Sequence, residues 1–305
     1  MRVLVVGATG TQGGSVIDAL LDGEYGEFEV RGLTRDATGE RARALAARGV
    51  ELVEGDLADP SGLARSLEGV GGVFYPSFGG DREATYGRNV VDAARGAGVT
   101  HLVVSTGGNC DDRPGIPHVD TKADVEDYLR ESGVPATVLR PHTFTSNLRM
   151  QAPAIREGRF PYPLAGGAQL ALVDPRDVGR LAARAFADPD RFVGETFELA
   201  GDALTLEELA AAFADVLGRE VEPVRITPAA FVERLGAPDS FRRFIEWQSE
   251  PHPTDTDRLR EAFDFRPATL REYLQQEWTA GIPESPTRAD GATRPGARRE
   301  ATDRD

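Results

Sequence analysis

The chain has 305 residues, 40% of them hydrophobic, which is enough to bury about three quarters of its unfolded surface in one or two domains, and no apolar run reaches the ~20 residues of a membrane helix. Fifty acidic against 35 basic residues leave a net charge of -15, a field that opposes direct nucleic-acid binding and anionic lipid. The lone Cys110 excludes an intramolecular disulfide and fits a reducing cytoplasm, and the four scattered histidines offer no metal-site spacing.

Short β-branched runs alternate with amphipathic stretches over the first 140 residues, the rhythm of a parallel α/β sheet. Strands are predicted at Val3–Val6, Glu29–Leu33, Glu51–Glu54, Gly72–Tyr75, His101–Ser105 and Ala136–Arg140. The first is apolar throughout, as a strand covered on both faces should be, and begins so early that a signal peptide has no room. Helices are predicted between them at Gln12–Leu21, Gly39–Arg48, Ser61–Leu67, Asp81–Ala97 and Lys122–Ser132, which together describe a doubly wound sheet. The stretch Gln151–Gly167 is rich in Pro and Gly and reads as a loop. A strand-and-helix unit follows at Leu170–Ala187, then a strand at Thr196–Leu199. From Thr205 the chain reads mainly helical: Thr205–Leu217 with a Thr205/Glu208 capping box, then Pro228–Leu235, Ser240–Gln248 and Asp255–Phe263. The tail, 283–305, is nearly devoid of apolar residues and is expected to be disordered.

Gly7-Ala-Thr9-Gly10-Thr11-Gln12-Gly13 stands directly between the first strand and the first helix, the context that makes a glycine pattern specific for a dinucleotide. Gly7 allows the tight turn, Gly10 lets a diphosphate approach the backbone, and Gly13 lets the helix pack closely. The helix N-terminus then favours negative charge. At the end of the second strand, Arg35 is placed to meet a 2′-phosphate, which points to NADP, while the neighbouring Asp36 keeps NAD open. Asp56 and Leu57, after the third strand, are candidates for the adenine.

These motifs, with His118-Val-Asp-Thr-Lys122 and Thr137-Val-Leu-Arg140-Pro141-His-Thr-Phe144, resemble the NmrA-like family, a branch of the atypical short-chain dehydrogenase/reductases. The resemblance covers roughly 1–280. It implies one NmrA-like domain over 1–282, with a Rossmann core of about 1–150 and 168–200. A smaller, mostly helical C-terminal region, about 151–167 and 201–282, would lie over the cleft. It also implies binding of NAD(P)(H) but no single activity, since the family includes redox-sensing regulators that act through protein partners and reductases of quinones.

Catalytic short-chain dehydrogenases use a Tyr-x-x-x-Lys pair. Here Lys122 holds the lysine position and His118 stands where the tyrosine would be, four residues earlier and so on one helix face if the helix reaches that far. Lys122 is the one lysine among the 35 basic residues, at a place where a compact ammonium is hard to replace by guanidinium. His118 is either a proton donor or a lining residue. Ser105 and Thr106 lie where such enzymes keep a polar partner. Cys110 is read as incidental, Asp177 as a helix-start carboxylate, Asn147 as a loop hydrogen-bonder, and the Phe241/Phe244/Trp247 stripe as helix-packing core that could roof the cleft. The missing tyrosine makes a redox-sensing dinucleotide binder the leading expectation. The alternative is an NAD(P)H-dependent oxidoreductase acting on a quinone or small carbonyl.

Overall fold

Strand β1 (Arg2–Val6) has both faces covered. Val3 and Val5 enter one apolar layer with Val16, Ile17, Leu181 and Phe186, while Leu4 and Val6 enter a second with Val90, Val91, Leu102 and Leu129. Side chains alternate along a strand, so a strand buried on both sides has no position to leave polar. β1 pairs in parallel with β2 (Glu29–Thr34) on one side and with β4 (Gly72–Pro76) on the other. β3 (Glu51–Glu54) extends the sheet beyond β2. β5 (His101–Ser105), β6 (Ala136–Pro141) and the strand Thr196–Leu199 extend it beyond β4.

The computed structural model describes residues 1–78, 80, 82–252, 254, 257–279 and 281–283, and among these the main sheet has seven strands, all parallel. The doubly wound α/β architecture expected from the sequence is therefore the one observed. The helices are α1 (Thr11–Leu21), α2 (Glu40–Ala47), α3 (Pro60–Ser66), α4 (Glu83–Ala97) and α5 (Pro117–Ser132). Residues of α1 and of the later helix Pro175–Ala187 build one apolar layer, and residues of α3, α4 and α5 the other. Strand order reverses between β1 and β4, which opens a crevice at the carboxyl edge of the sheet, the usual ligand position of such folds. The tail from residue 284 on lies outside the described residues, as do the expected helix starts at Asp81 and Asp255.

Two expectations need correction. The stretch Gln151–Gly167 is not simply a loop. It contains a helix, Ala152–Arg156, and a strand, Arg159–Tyr162, that pairs in parallel with Glu222–Arg225. Phe160 and Tyr162 stack on one another with ring centroids 5.9 Å apart and are buried, so tertiary packing outweighs the Pro and Gly content. A helix at Leu270–Glu277, with a capping box of Thr269 and Glu272, also went unrecognised. Its buried Leu270, Tyr273 and Leu274, followed by Trp278, join Phe213, Phe231 and Ile245 in a separate apolar cluster that supports the roof described below.

Candidate functional site

β1 ends at Val6 and the chain turns through Gly7, Thr9 and Gly10 into α1. Gly7 takes φ +66°, a conformation that L side chains rarely adopt. A Cβ on Gly13 would stand 2.2 Å from the Gly7 carbonyl oxygen, so the first turn of α1 is docked on bare loop backbone. Gly10 is the N-cap and supplies no side-chain acceptor, leaving the first-turn amides uncapped, Thr11 and Gln12 among them. Uncapped amides, a helix dipole and a loop without side chains form a cradle that fits a diphosphate. Ser105 Oγ donates to Gln12 Oε1 at 2.6 Å, tying the start of α1 to the end of β5.

Beyond β2, Asp36 Oδ1 accepts from Thr38 N (2.8 Å), Thr38 Oγ1 (2.7 Å) and Gly39 N (3.1 Å). The Thr38 hydroxyl and amide hold its carboxyl below the usual range. This carboxylate is committed to closing the turn into α2, whereas Arg35 is exposed and, among the described residues, has no carboxylate partner. After β3, Asp56 Oδ1 accepts from Ala58 N at 2.9 Å, and the Leu57 carbonyl accepts from Asn89 Nδ2 at 2.8 Å.

The floor of the crevice is built on α5. This helix begins at Pro117, five residues before the expected start, so His118 and Lys122 do share it. Lys122 Nζ donates to Ser77 Oγ at 3.2 Å, beyond β4, and to the Thr106 carbonyl at 3.1 Å, beyond β5. Burial lowers the ammonium's pKa, and the Glu83 and Glu126 carboxylates oppose that. The His118 ring stands edge-on to Phe244 (4.9 Å between centroids) and Phe241 (5.9 Å). Burial, then the nearby Lys122 charge, pushes its imidazole down to about 4, so the ring is neutral at pH 7. Its Nδ1 is buried and has no hydrogen-bond partner among the described residues. Phe244 and Trp247 also pack on Cys110, Ile116, Val119 and Ala123, so the aromatic stripe roofs this end of α5. Neither Ser105 nor Thr106 keeps a free hydroxyl proton: the first is donated to Gln12, the second to Glu126 Oε1 at 2.6 Å. Cys110 is buried, donates to Glu126 Oε1 at 3.1 Å, and has its thiol pKa pushed up by burial, which removes it as a nucleophile.

The structure brings the glycine loop, Arg35, Asp56, His118 and Lys122 to the carboxyl edge of one parallel sheet. A cavity of about 470 Å³ lined by Met1, His101 and Phe186 lies at the opposite edge and touches none of them. Asp177 lies in the first turn of Pro175–Ala187, where it accepts from Ala268 N at 2.7 Å and Arg180 Nη1 at 2.6 Å. Asp174 is the actual cap of that helix. Asn147 falls in the 3-10 helix Thr145–Gln151. Sequence reasoning did not single out Ser77, Glu126, Arg140, Glu198 or His142. The available signal was a charged Arg140 inside the buried strand Ala136–Pro141, with Glu126 one helical turn past Lys122.

The model of the NmrA-like family matches residues 1–274. The NAD(P)H azoreductase of Xenophilus azovorans is 36% identical over 228 residues, covering 74% of this chain and 77% of that protein. Among solved structures, the NADPH-dependent quinone oxidoreductase 2 of Escherichia coli, complexed with NADPH, superposes with a TM-score of 0.75 at 26% identity, covering 90% of this chain and 99% of that one. The negative transcriptional regulator NmrA, in complex with NADP, reaches a TM-score of 0.75 at 23% identity, covering 90% of this chain and 94% of that one.

Proposed function

Because the chain belongs to the NmrA-like family, we propose that it binds NADP(H) and directs a hydride onto a small, flat, conjugated acceptor of the quinone type. When bound, NADPH supplies that hydride from its reduced nicotinamide. The main-chain groups of Gly7, Thr9, Gly10, Thr11, Gln12 and Gly13 hold the diphosphate, Arg35 the 2′-phosphate, Asp56 and Leu57 the adenine, and Lys122 the nicotinamide ribose. Asp36 is occupied by its own turn, which favours NADP over NAD.

The observation that carries the reading is the aromatic roof beside Lys122. Phe241 and Phe244 close over a neutral His118 and leave an apolar ceiling suited to a flat ring. No tyrosine stands at 118, and both hydroxyls at the end of β5 donate elsewhere, so neither of those positions offers a proton to an acceptor. That favours an acceptor whose reduced anion is stabilised by conjugation and takes its proton from water, which a quinone does and a simple ketone does not. Reductases among the relatives support the same direction. The regulatory alternative, in which a protein partner reads the bound cofactor, rests on the missing tyrosine and on a likeness to NmrA that at 23% identity concerns fold. No helix among the described residues is long and apolar enough to cross a membrane, and we assign the protein to the reducing cytoplasm on its single, unpaired cysteine.

The test is steady-state NADPH oxidation with a panel of benzo- and naphthoquinones beside simple aldehydes and ketones. Turnover is expected with quinones only. Lys122→Ala should weaken NADPH roughly tenfold or more, and His118→Phe should leave quinone turnover within about threefold. Tight NADPH binding with no turnover on any acceptor would reverse the choice in favour of the regulator.

A further inference from the structure

Beneath Lys122 lies a buried ionic network that the reading above leaves without a role. Glu126, one turn further along α5, is 3% exposed and accepts from Thr106 Oγ1 (2.6 Å), Cys110 Sγ (3.1 Å), Arg140 Nε (3.0 Å) and Arg140 Nη2 (2.6 Å). Arg140, buried on β6, continues through Nη1 to Asp111 Oδ2 (2.8 Å) and Glu198 Oε1 (3.2 Å). Glu198 in turn lies 2.8 Å from His142 Nε2 and accepts from Asn109 N at 3.3 Å. Helix α5, strand β6, the strand Thr196–Leu199 and the loop after β5 are thereby tied to one another. A buried pair of this kind gains little net stability over apolar packing, so its use lies in holding a defined arrangement.

That arrangement bears on the cleft. The Thr106 hydroxyl is bound to Glu126, and the carbonyl of the same residue receives the Lys122 ammonium. The loop also wraps the lysine stem, since a Cβ on Gly107 would stand 3.2 Å from Lys122 Cδ. We propose that Glu126 and Arg140 are positioning residues: their pair fixes Thr106, and through the Thr106 carbonyl it sets where the Lys122 ammonium stands in the crevice. The role rests on the reading that Lys122 holds the cofactor.

The charged and titratable groups around Lys122 are Glu83 from α4, Cys110 from the loop after β5, Glu126 and His118 from its own helix, and Arg140 behind Glu126. Glu83, itself buried, accepts from Tyr75 OH at 2.9 Å and Phe78 N at 2.7 Å, which anchors it to β4 and the residues that follow it. His118 is neutral and Cys110 protonated at pH 7, so the two carboxylates are what favour the charged lysine against its burial. Removing the Glu126 charge must let the ammonium lose its proton at lower pH.

The experiment is direct titration of NADPH, followed by its fluorescence, from pH 6 to 10 into the full chain and its variants. Wild-type affinity should fall on the alkaline side, and Lys122→Ala should lack that limb. Glu126→Gln, which keeps the side-chain shape, should move the limb down by about one pH unit. Thr106→Val should weaken NADPH about tenfold, while Thr106→Ser, which retains the hydroxyl, should bind within about twofold of wild type. If Glu126→Gln does not fold, the Thr106 pair decides alone. A Lys122-dependent affinity that neither Glu126→Gln nor Thr106→Val alters overturns the positioning role and leaves the cofactor reading standing. Wild-type affinity in Lys122→Ala overturns both.

Discussion

In the function proposed above, the glycine loop and the crevice floor serve one site by opposite means. The loop is seven consecutive residues whose backbone does the work, and its one notable side-chain bond is that of Ser105 to Gln12. The floor is assembled from Ser77, Thr106, Lys122, Glu126, Arg140 and Glu198, which stand on or directly after five separate elements. Backbone sites fail by steric conflict, because nothing around a main chain can give way. Side-chain sites fail by misplaced or unpaired charge, and that failure depends on pH and salt.

The largest effect is expected on the loop side. Gly13→Ala drives a methyl against the Gly7 carbonyl and should cost about 3–5 kcal/mol of stability together with NADPH binding. Denaturant melts check this, and a wild-type midpoint would mean that the loop yields as the floor does.

On the floor side, His118 is held at about 4, as is His101 at the far edge of the sheet, in both cases chiefly by burial. An unfolded chain protonates these rings near 6.5, so as pH falls from there toward 4 the unfolded state gains protons that the folded state refuses. Stability should therefore decline through that window, by roughly 3 kcal/mol per histidine, and the histidine contribution should level off below it. His118→Phe should remove the floor's share and leave that of His101. Urea unfolding at half-unit pH steps measures it; a flat profile in the wild type would show both rings open to water.

Arg35→Ala separates cofactor recognition from folding. It should cost on the order of 1.5–3 kcal/mol in NADPH binding, little in NADH binding and nothing in melting temperature. Equal affinity of the unmodified protein for the two cofactors would remove the 2′-phosphate contact from the account.

The smallest effect marks the lower end of the comparison. The exposed Arg48–Asp18 pair, 2.6 Å apart, resembles the buried Arg140–Glu126 pair in geometry alone. Arg48→Ala should cost under about 1 kcal/mol, and less in high salt. A loss as large as that of Gly13→Ala would show that solvent does not screen this surface.

The strands of the main sheet were legible to within a residue or two because each carries its own apolar run, and the Thr205/Glu208 capping box formed as its spacing required. The strand Arg159–Tyr162 was not legible, since its β-structure comes from pairing with Glu222–Arg225, some sixty residues away in the chain. α5 begins five residues before its expected start at Lys122, with Pro117 in its first turn, where a proline costs no hydrogen bond.

By itself, then, the order of residues determined the doubly wound sheet, the glycine turn into α1 and the adjacency of Arg35 to Asp36. All three depend on local backbone geometry and on periodicity that a contiguous segment carries. Only the tertiary structure decided that His118 is neutral beneath Phe241 and Phe244, and that Glu126 and Arg140 underlie Lys122. Those outcomes turn on burial and on charges brought together from distant positions, and the free energy of a charge depends on its surroundings rather than on its neighbours in sequence.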